Sequence, residues 1–147
     1  MPLDQAQQWA RDFTTTLPVA QQQNMAGLIM ASIQANAAAG SQRQKDVTTD
    51  LQRQYPTASV QNEQYLRDAN GKIVIDPNTG TARRIDHVVV QNDQVIDVVE
   101  TTSNSADKSG QLQHEADTRA AGGLYIRDRN TGRLLPVPNV SRLERRP

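Results

Sequence analysis

Arg83-Arg-Ile-Asp-His-Val-Val-Val-Gln-Asn-Asp-Gln-Val-Ile-Asp-Val-Val-Glu-Thr-Thr102 decides how this chain folds. It reads as two valine-rich strands, about 83–91 and 94–102, joined by the polar pair Asn92-Asp93. Alternation places Asp86 with Val88 and Val90 on one face, and Glu100 with Ile96, Val98 and Thr102 on one face. If the strands pair as a hairpin, Asp86 and Glu100 meet near the ends remote from the turn. A carboxylate in an apolar strand is costly unless its desolvation is offset, and two neighbouring carboxylates repel unless a cation lies between them. A divalent metal resolves both problems. The alternative is that each acid lies on a solvated strand face.

Working outward, the residues before this hairpin change texture at Ala58. Residues 58–67 alternate as a strand, Lys72 to Ile75 makes a short second run, and Asp76-Pro-Asn-Thr-Gly80 is a turn. The N-terminal third reads as three helices. The first covers 4–16, with Leu3, Ala6, Trp9, Ala10 and Phe13 at helical spacing and Pro18 ending it. The second covers about 19–39, with Met25, Leu28, Ile29 and Ile33 on one side, and stops at Gly40. The third, capped by Ser41, covers about 42–54 and closes at Pro56. After the hairpin, Ser105 or Asp107 opens a helix to about Ala121, stopped by Gly122-Gly123. Leu124 to Arg127 is a last strand, Asp128 to Gly132 a turn, and the Pro136 and Pro138 region an extended tail. The order predicts an α/β (α+β) chain, single-domain overall, with residues 1–55 as a helical segment packing on a core of 56–147.

Composition narrows the function. The mean hydropathy of -0.68 and 36% hydrophobic content predict a modest core, and no apolar run approaches the ~18 residues of a membrane span, so no membrane role is expected. With one Trp, one Phe and three Tyr, a nucleic-acid platform of stacked rings is not expected. No cysteine is present, which excludes disulfides and thiolate metal sites. No basic region followed by an apolar one opens the chain, so no secretory signal is expected. Formal charge balances to zero, but seven arginines from Arg119 onward face only Asp128 and Glu144, a net +5 in the C-terminal segment. Such a segment either meets nucleic-acid phosphates or pairs with the protein's own acids.

Carboxylates and a hard divalent ion can polarise a phosphodiester and lower the pKa of an attacking water, the minimal apparatus of a phosphodiesterase. Lys108 and Gln111, three residues apart at the start of the next helix, are the candidates to stabilise phosphate charge and orient water or substrate; an ordinary exposed helical turn is the alternative. His87 falls on the face opposite Asp86 and is expected to pack. His114, three residues after Gln111, could reach the rim of the site, and Asp97, opposite Glu100, is expected to pair with an arginine. No helical zinc pair, Walker loop or Gly-x-Ser-x-Gly elbow occurs.

Asp86, then Glu100-Thr101-Thr102 on the next strand, then Lys108 and Gln111 resemble the PD-(D/E)xK nuclease superfamily, whose core is helix, three strands, helix and strand. Tyr65-Leu-Arg-Asp-Ala-Asn-Gly71, Arg83-Arg-Ile-Asp86, Glu100-Thr-Thr-Ser103 and Gly122-Gly-Leu-Tyr-Ile-Arg-Asp-Arg-Asn-Thr-Gly132 further resemble restriction-endonuclease-fold toxin domains of bacterial polymorphic toxins, of the Rhs and contact-dependent inhibition kind. The resemblance covers about residues 56–147. It implies a restriction-endonuclease-like core and a nuclease that uses magnesium or manganese on DNA, with RNA as the alternative substrate. Asp86 and Glu100 would be metal ligands; the superfamily often adds an acid from the first core helix, but residues 19–54 hold only Asp46 and Asp50, so Glu63 is the preferred third acid, with a strand-face glutamate as the alternative. The family's Glu-x-Lys would place lysine at 102, where Thr102 stands; Lys108 is then the natural substitute, Thr102 a hydroxyl or carbonyl donor, and a degraded site that only binds is the other outcome. Arg84, Arg127, Arg129 and Arg133 would hold the phosphate backbone. The resemblance also implies a parent secreted toxin, delivery to the cytoplasm of a competing bacterium, and a cognate immunity protein.

Overall fold

The computed structural model describes residues 5, 7, 8 and 19–147. Most of the helix expected over 4–16 lies outside the described residues. The chain divides into two compact units, Met1–Gln42 and Arg43–Pro147. Helix α1, Val19–Gln54, runs for 36 residues from the first into the second. The expected stop at Gly40 and restart at Ser41 are replaced by uninterrupted helix. One glycine costs a helix interior only about 1 kcal/mol relative to alanine, too little to break it between long runs of helix formers. From Gln21 to Gln42 no side chain of α1 is buried, and Leu28 is 68% exposed. In the second unit the same helix buries Val47 and Leu51.

That unit is built on a four-stranded sheet of order β1 (Ser59–Tyr65), β2 (Arg84–Gln91), β3 (Gln94–Ser103) and β6 (Arg142–Arg146). The first three strands run antiparallel and β6 joins β3 in parallel. The β2–β3 turn is Asn92-Asp93, both in the left-handed region with φ of 52° and 60°. Two successive positive φ values define a type I′ turn, whose twist matches that of a hairpin. Short polar residues tolerate it best, which is why this pair sits between two valine runs.

Each sheet face has its own core. Val89 and Val99 pack with Val47 and Leu51 of α1. Val88, Val90, Val95 and Val98 pack with Leu66, Ile126, Leu135 and Val137. The second face is covered by the two-stranded sheet of β4 (Tyr125–Arg127) and β5 (Leu134–Pro136). Helix α2, Ser109–Ala120, connects β3 to this hairpin.

Three further expectations are corrected. Lys72 to Ile75 is not a strand, because only isolated bridges form there, at Ile73 and Ile75. Leu124 to Arg127 does not complete the main sheet; that place belongs to β6, in the segment expected as tail, and the stretch 125–127 pairs with β5 instead. Ile96 does not share the buried face of Val98. The register slips between Val89 and Val90, whose partners are Asp97 and Val95. Ile96 is therefore the unpaired bulge residue, 40% exposed, and Val95 takes the inward place. The mixed α/β architecture expected from the element pattern is present, with a mostly antiparallel sheet.

The unequal burial of α1 makes a sharp prediction. Leu51→Ala should lower the unfolding free energy by about 2–4 kcal/mol, because it empties a filled core position. Leu28→Ala should change it by less than about 0.5 kcal/mol. Urea denaturation followed by far-UV circular dichroism measures both.

Candidate functional site

The β2–β3 register places His87 opposite Val99, and its next step brings Asp86 opposite Glu100. The strands stop exchanging backbone hydrogen bonds there, and the Asp86 side chain takes over: its Oδ2 accepts the Thr101 backbone N–H at 3.0 Å. Glu100 is 3% exposed, on a strand flanked by β2 and β6. Burial is the largest influence on its carboxyl and, with the Asp86 charge, raises it above the ordinary glutamate value against the pull of Arg83 and Lys108.

The cation that the hairpin reading required is supplied in part by the chain itself. Arg83 Nη2 donates to Glu100 Oε2 at 2.8 Å, and Arg83 Nε lies 3.5 Å from Glu115 Oε1; all three side chains are almost fully buried. Glu115, on α2, also accepts the backbone N–H of Ser141 at 2.6 Å and the Ser141 hydroxyl at 2.7 Å, tying the helix to the start of β6. Lys108 Nζ stands 3.8 Å from Glu100 Oε1 and donates to Gln111 Oε1 at 2.9 Å. Arg145 holds the approach to Lys108 by donating to the carbonyls of Ser103 and Ala106 at 3.0 and 2.8 Å. Thr102 is buried on the Glu100 strand, and among the described residues its Oγ1 has no hydrogen-bond partner.

Asp86, Glu100, Thr102, Lys108 and Gln111 thus gather around the β2–β3 strand ends and the start of α2. Glu63 does not join them. Its backbone adopts φ of 56°, and its half-exposed side chain lies 3.8 Å from Arg84 Nη1. Arg83 and Glu115 were missed by sequence reasoning. Glu115 sits four residues after Gln111 and seven after Lys108, one helical face, and that spacing was the available signal.

The oxygens left over suit a hard cation. Among the described residues, Asp86 Oδ1 and Glu100 Oε1 accept no hydrogen bond, and Thr102 Oγ1 is an orphaned oxygen nearby in sequence. Among the described residues no group of three or more His, Asp or Glu side chains is placed so that it could hold a metal ion. An ion held by two carboxylates would keep several waters, which is how magnesium is commonly bound.

The histidines serve the scaffold. His87 is fully buried, with Nε2 2.6 Å from Thr101 Oγ1 and Nδ1 within 3.2 Å of Asn62 and Thr48; burial pushes its pKa down. His114 Nδ1 lies 2.6 Å from Oδ2 of the buried Asp76, in the turn that leads to Arg83, and this bond is the main reason Asp76 is held below the usual aspartate value. Asp97 pairs with Arg142 at 2.8 Å. Of the C-terminal arginines, Arg133 pairs with Asp93, Arg142 with Asp97, and Arg146 with Asp50 and Glu144. Arg127 and Arg129 instead donate to the carbonyls of Gly132 and Glu63, and Arg84 lies over the Tyr65 ring. Comparisons with protein-family models, curated proteins and solved structures return no match to this chain.

Arg83 should be the most sensitive residue of the cluster. Arg83→Met leaves Glu100 buried without its hydrogen-bond partner, with only Lys108 at 3.8 Å, and should cost about 3–5 kcal/mol near pH 7. A carboxyl whose folded pKa is raised contributes stability that is complete below its unfolded value and is lost as pH rises through the folded value. Removing Arg83 raises Glu100 further, so the cost should shrink at about pH 5, where the carboxyl can bind a proton. Urea unfolding of wild type and variant at both pH values tests the direction.

Proposed function

We propose that the protein is a metal-dependent nuclease that hydrolyses phosphodiester bonds, acting on DNA, and that it serves as the toxic module of a larger secreted bacterial chain. The observation that carries this reading is the convergence of Asp86, Glu100 and Lys108 at one strand end, with a surplus of acid. Asp86, Glu100 and Glu115 outnumber Arg83 and Lys108. Asp86 and Glu100 would hold magnesium or manganese, with Thr102 as an auxiliary oxygen. When bound, such an ion lowers the pKa of a coordinated water and neutralises charge on the phosphate. Lys108 places its ammonium at the edge of the carboxylate pair, where it can stabilise negative charge developing on the substrate. Gln111 accepts from Lys108 through Oε1, so its amide N–H2 is left to orient substrate or water. Arg83 and Glu115 position Glu100 from behind.

The resemblance to polymorphic-toxin domains supports the remaining parts of the proposal: action in the cytoplasm of a competitor after delivery by a secretion system, and a cognate immunity protein that protects the producer. A ribonuclease on the same scaffold is the neighbouring reading. One observation favours a different class. Arg83 already occupies Glu100 Oε2, and Thr102 stands where the superfamily carries lysine, which suits a catalytically silent module that binds nucleic acid or a protein.

Plasmid DNA and RNA incubated with the protein should separate these readings. DNA cleavage should require magnesium or manganese and stop with EDTA. Glu100→Gln and Lys108→Ala should each lower the rate by about 10²–10³, the range seen for loss of one charge-stabilising group. A gel shift without cleavage under every metal condition would leave the binding module.

A further inference from the structure

We infer that a second, arginine-lined cleft beside β1 is a phosphate-binding subsite that holds a nucleic-acid backbone away from the acidic cluster. The inference rests on the proposed function only in naming the phosphate as that of a nucleic acid. The cleft, about 300 Å³, lies between the end of β1 and the β4–β5 turn, and its basic walls are Arg67, Arg127 and Arg129. Their partners set these arginines apart. Arg67 Nη1 donates to the Gly71 carbonyl at 2.9 Å, Arg127 Nη1 to the Gly132 carbonyl at 2.7 Å, and Arg129 Nη2 to the Glu63 carbonyl at 3.2 Å. Among the described residues none of the three has a carboxylate within ion-pair distance, whereas Arg83, Arg133, Arg142 and Arg146 all do. Carbonyls fix the direction of a guanidinium without cancelling its charge.

Arg67 is held by its Nη1 bond, and among the described residues its buried Nε has no hydrogen-bond partner. Two acids line the cleft: the half-exposed Glu63, whose carboxylate lies 3.8 Å from Arg84 Nη1, and Asp128, which is committed to the turn. Asp128 is 3% exposed and takes hydrogen bonds from Gln61 Nε2 at 2.8 Å, Asn130 N at 3.0 Å and Thr131 Oγ1 at 2.8 Å. Burial pushes its carboxyl up, but these bonds prevail and hold it below the ordinary aspartate value, so it stays an acceptor for the turn. Gln64 Nε2 completes the support by donating to Gln61 Oε1 at 2.7 Å and to the Arg127 carbonyl at 2.8 Å. Gly71, at φ of 86°, lets the Arg127 guanidinium lie against the backbone where a Cβ would collide with it. The cleft therefore presents preoriented forks, and a planar fork with free N–H groups matches phosphate oxygens. Contacts of this kind to phosphate fix the position of the backbone and carry no sequence information directly.

The test is binding of a short fluorescein-labelled DNA duplex by anisotropy in EDTA over a range of salt, alongside the plasmid cleavage assay. Arg129→Gln and Arg127→Gln should each weaken binding about tenfold, the loss of one charge-assisted hydrogen bond. Each should also reduce the slope of log affinity against log salt by about 1. Arg53→Gln removes an exposed arginine of α1 and should alter neither by more than about twofold. Should Arg127→Gln fail to fold, Arg129→Gln decides alone, since it gives up only one long exposed bond. Duplex binding unaltered in the cleft variants, binding lowered equally by Arg53→Gln, or no duplex binding by the wild type would overturn the subsite. Cleft-dependent binding by a protein that never cleaves would leave the subsite standing and remove the nuclease reading; cleavage with cleft variants binding as wild type would do the reverse.

Discussion

The fold of the second unit depends on a guanidinium buried between two buried carboxylates. Arg83, Glu100 and Glu115 come from the segment entering β2, from β3 and from α2, and Glu115 extends the link to Ser141 before β6. Valine packing alone holds the strands together but leaves the placement of α2 and β6 loosely specified, since hydrophobic burial is non-directional. The charge cluster is directional. Each carboxylate must meet its donor or its desolvation goes uncompensated, so α2 has little freedom to slide along the sheet and β6 must begin beside Glu115. The same requirement delivers Lys108 to Glu100, because the loop before α2 is pinned by Arg145 and the helix after it by Glu115.

The range of each interaction determines how much of this could be read beforehand. The β2–β3 hairpin was legible: its signals are a two-residue polar turn and period-2 valines, all within twenty residues, and they carried the pairing of Asp86 with Glu100. That Asp97 pairs with an arginine was also legible from its place on the face opposite Glu100, but which arginine was not. Local patterns failed where a long-range contact or cooperativity overrode them. Gly40 carries a stop signal, but the surrounding helix absorbs its cost. Ile96 carries the strand alternation, but a bulge reserves the inward place for Val95. The segment Arg142–Arg146 reads as a charged tail because it has almost no apolar content; it becomes a strand through its parallel ladder on β3 and through arginines that reach Asp97 and Asp50. Arg83 was hidden by its neighbour, because two consecutive arginines give no hint that one is buried and the other exposed.

The adjacent pair Arg83-Arg84 also separates two electrostatic regions. Arg83 turns into the carboxylate cluster. Arg84 turns outward to Glu63 and Tyr65, both of which line the arginine cleft. The left-handed backbone at Glu63 serves this division. It interrupts the alternation of β1, so that Gln61 and Gln64 both enter the buried network around Asp128 while the Glu63 carbonyl is offered to Arg129. A non-glycine residue in that conformation costs on the order of 1 kcal/mol and persists only where its surroundings over-determine it. Here the surroundings are the supports of the cleft.

Charge balance sets the requirement that the acidic cluster places on any ligand. With all groups ionised, Asp86, Glu100 and Glu115 exceed Arg83 and Lys108 by one negative charge, while burial first, and the Asp86 charge after it, raises the Glu100 carboxyl. A proton cancels that excess and leaves an inert core. A divalent cation overshoots to one positive charge, and a phosphodiester, carrying one negative charge, restores neutrality. An isolated cation in so dry a place would be poorly held, and an isolated phosphate would be repelled by the same carboxylates. The two together satisfy the cluster, so the proposed ion and substrate should reinforce each other's binding. The proposed arginine cleft would then have a role the cluster cannot fill: attracting the backbone before any ion is in place.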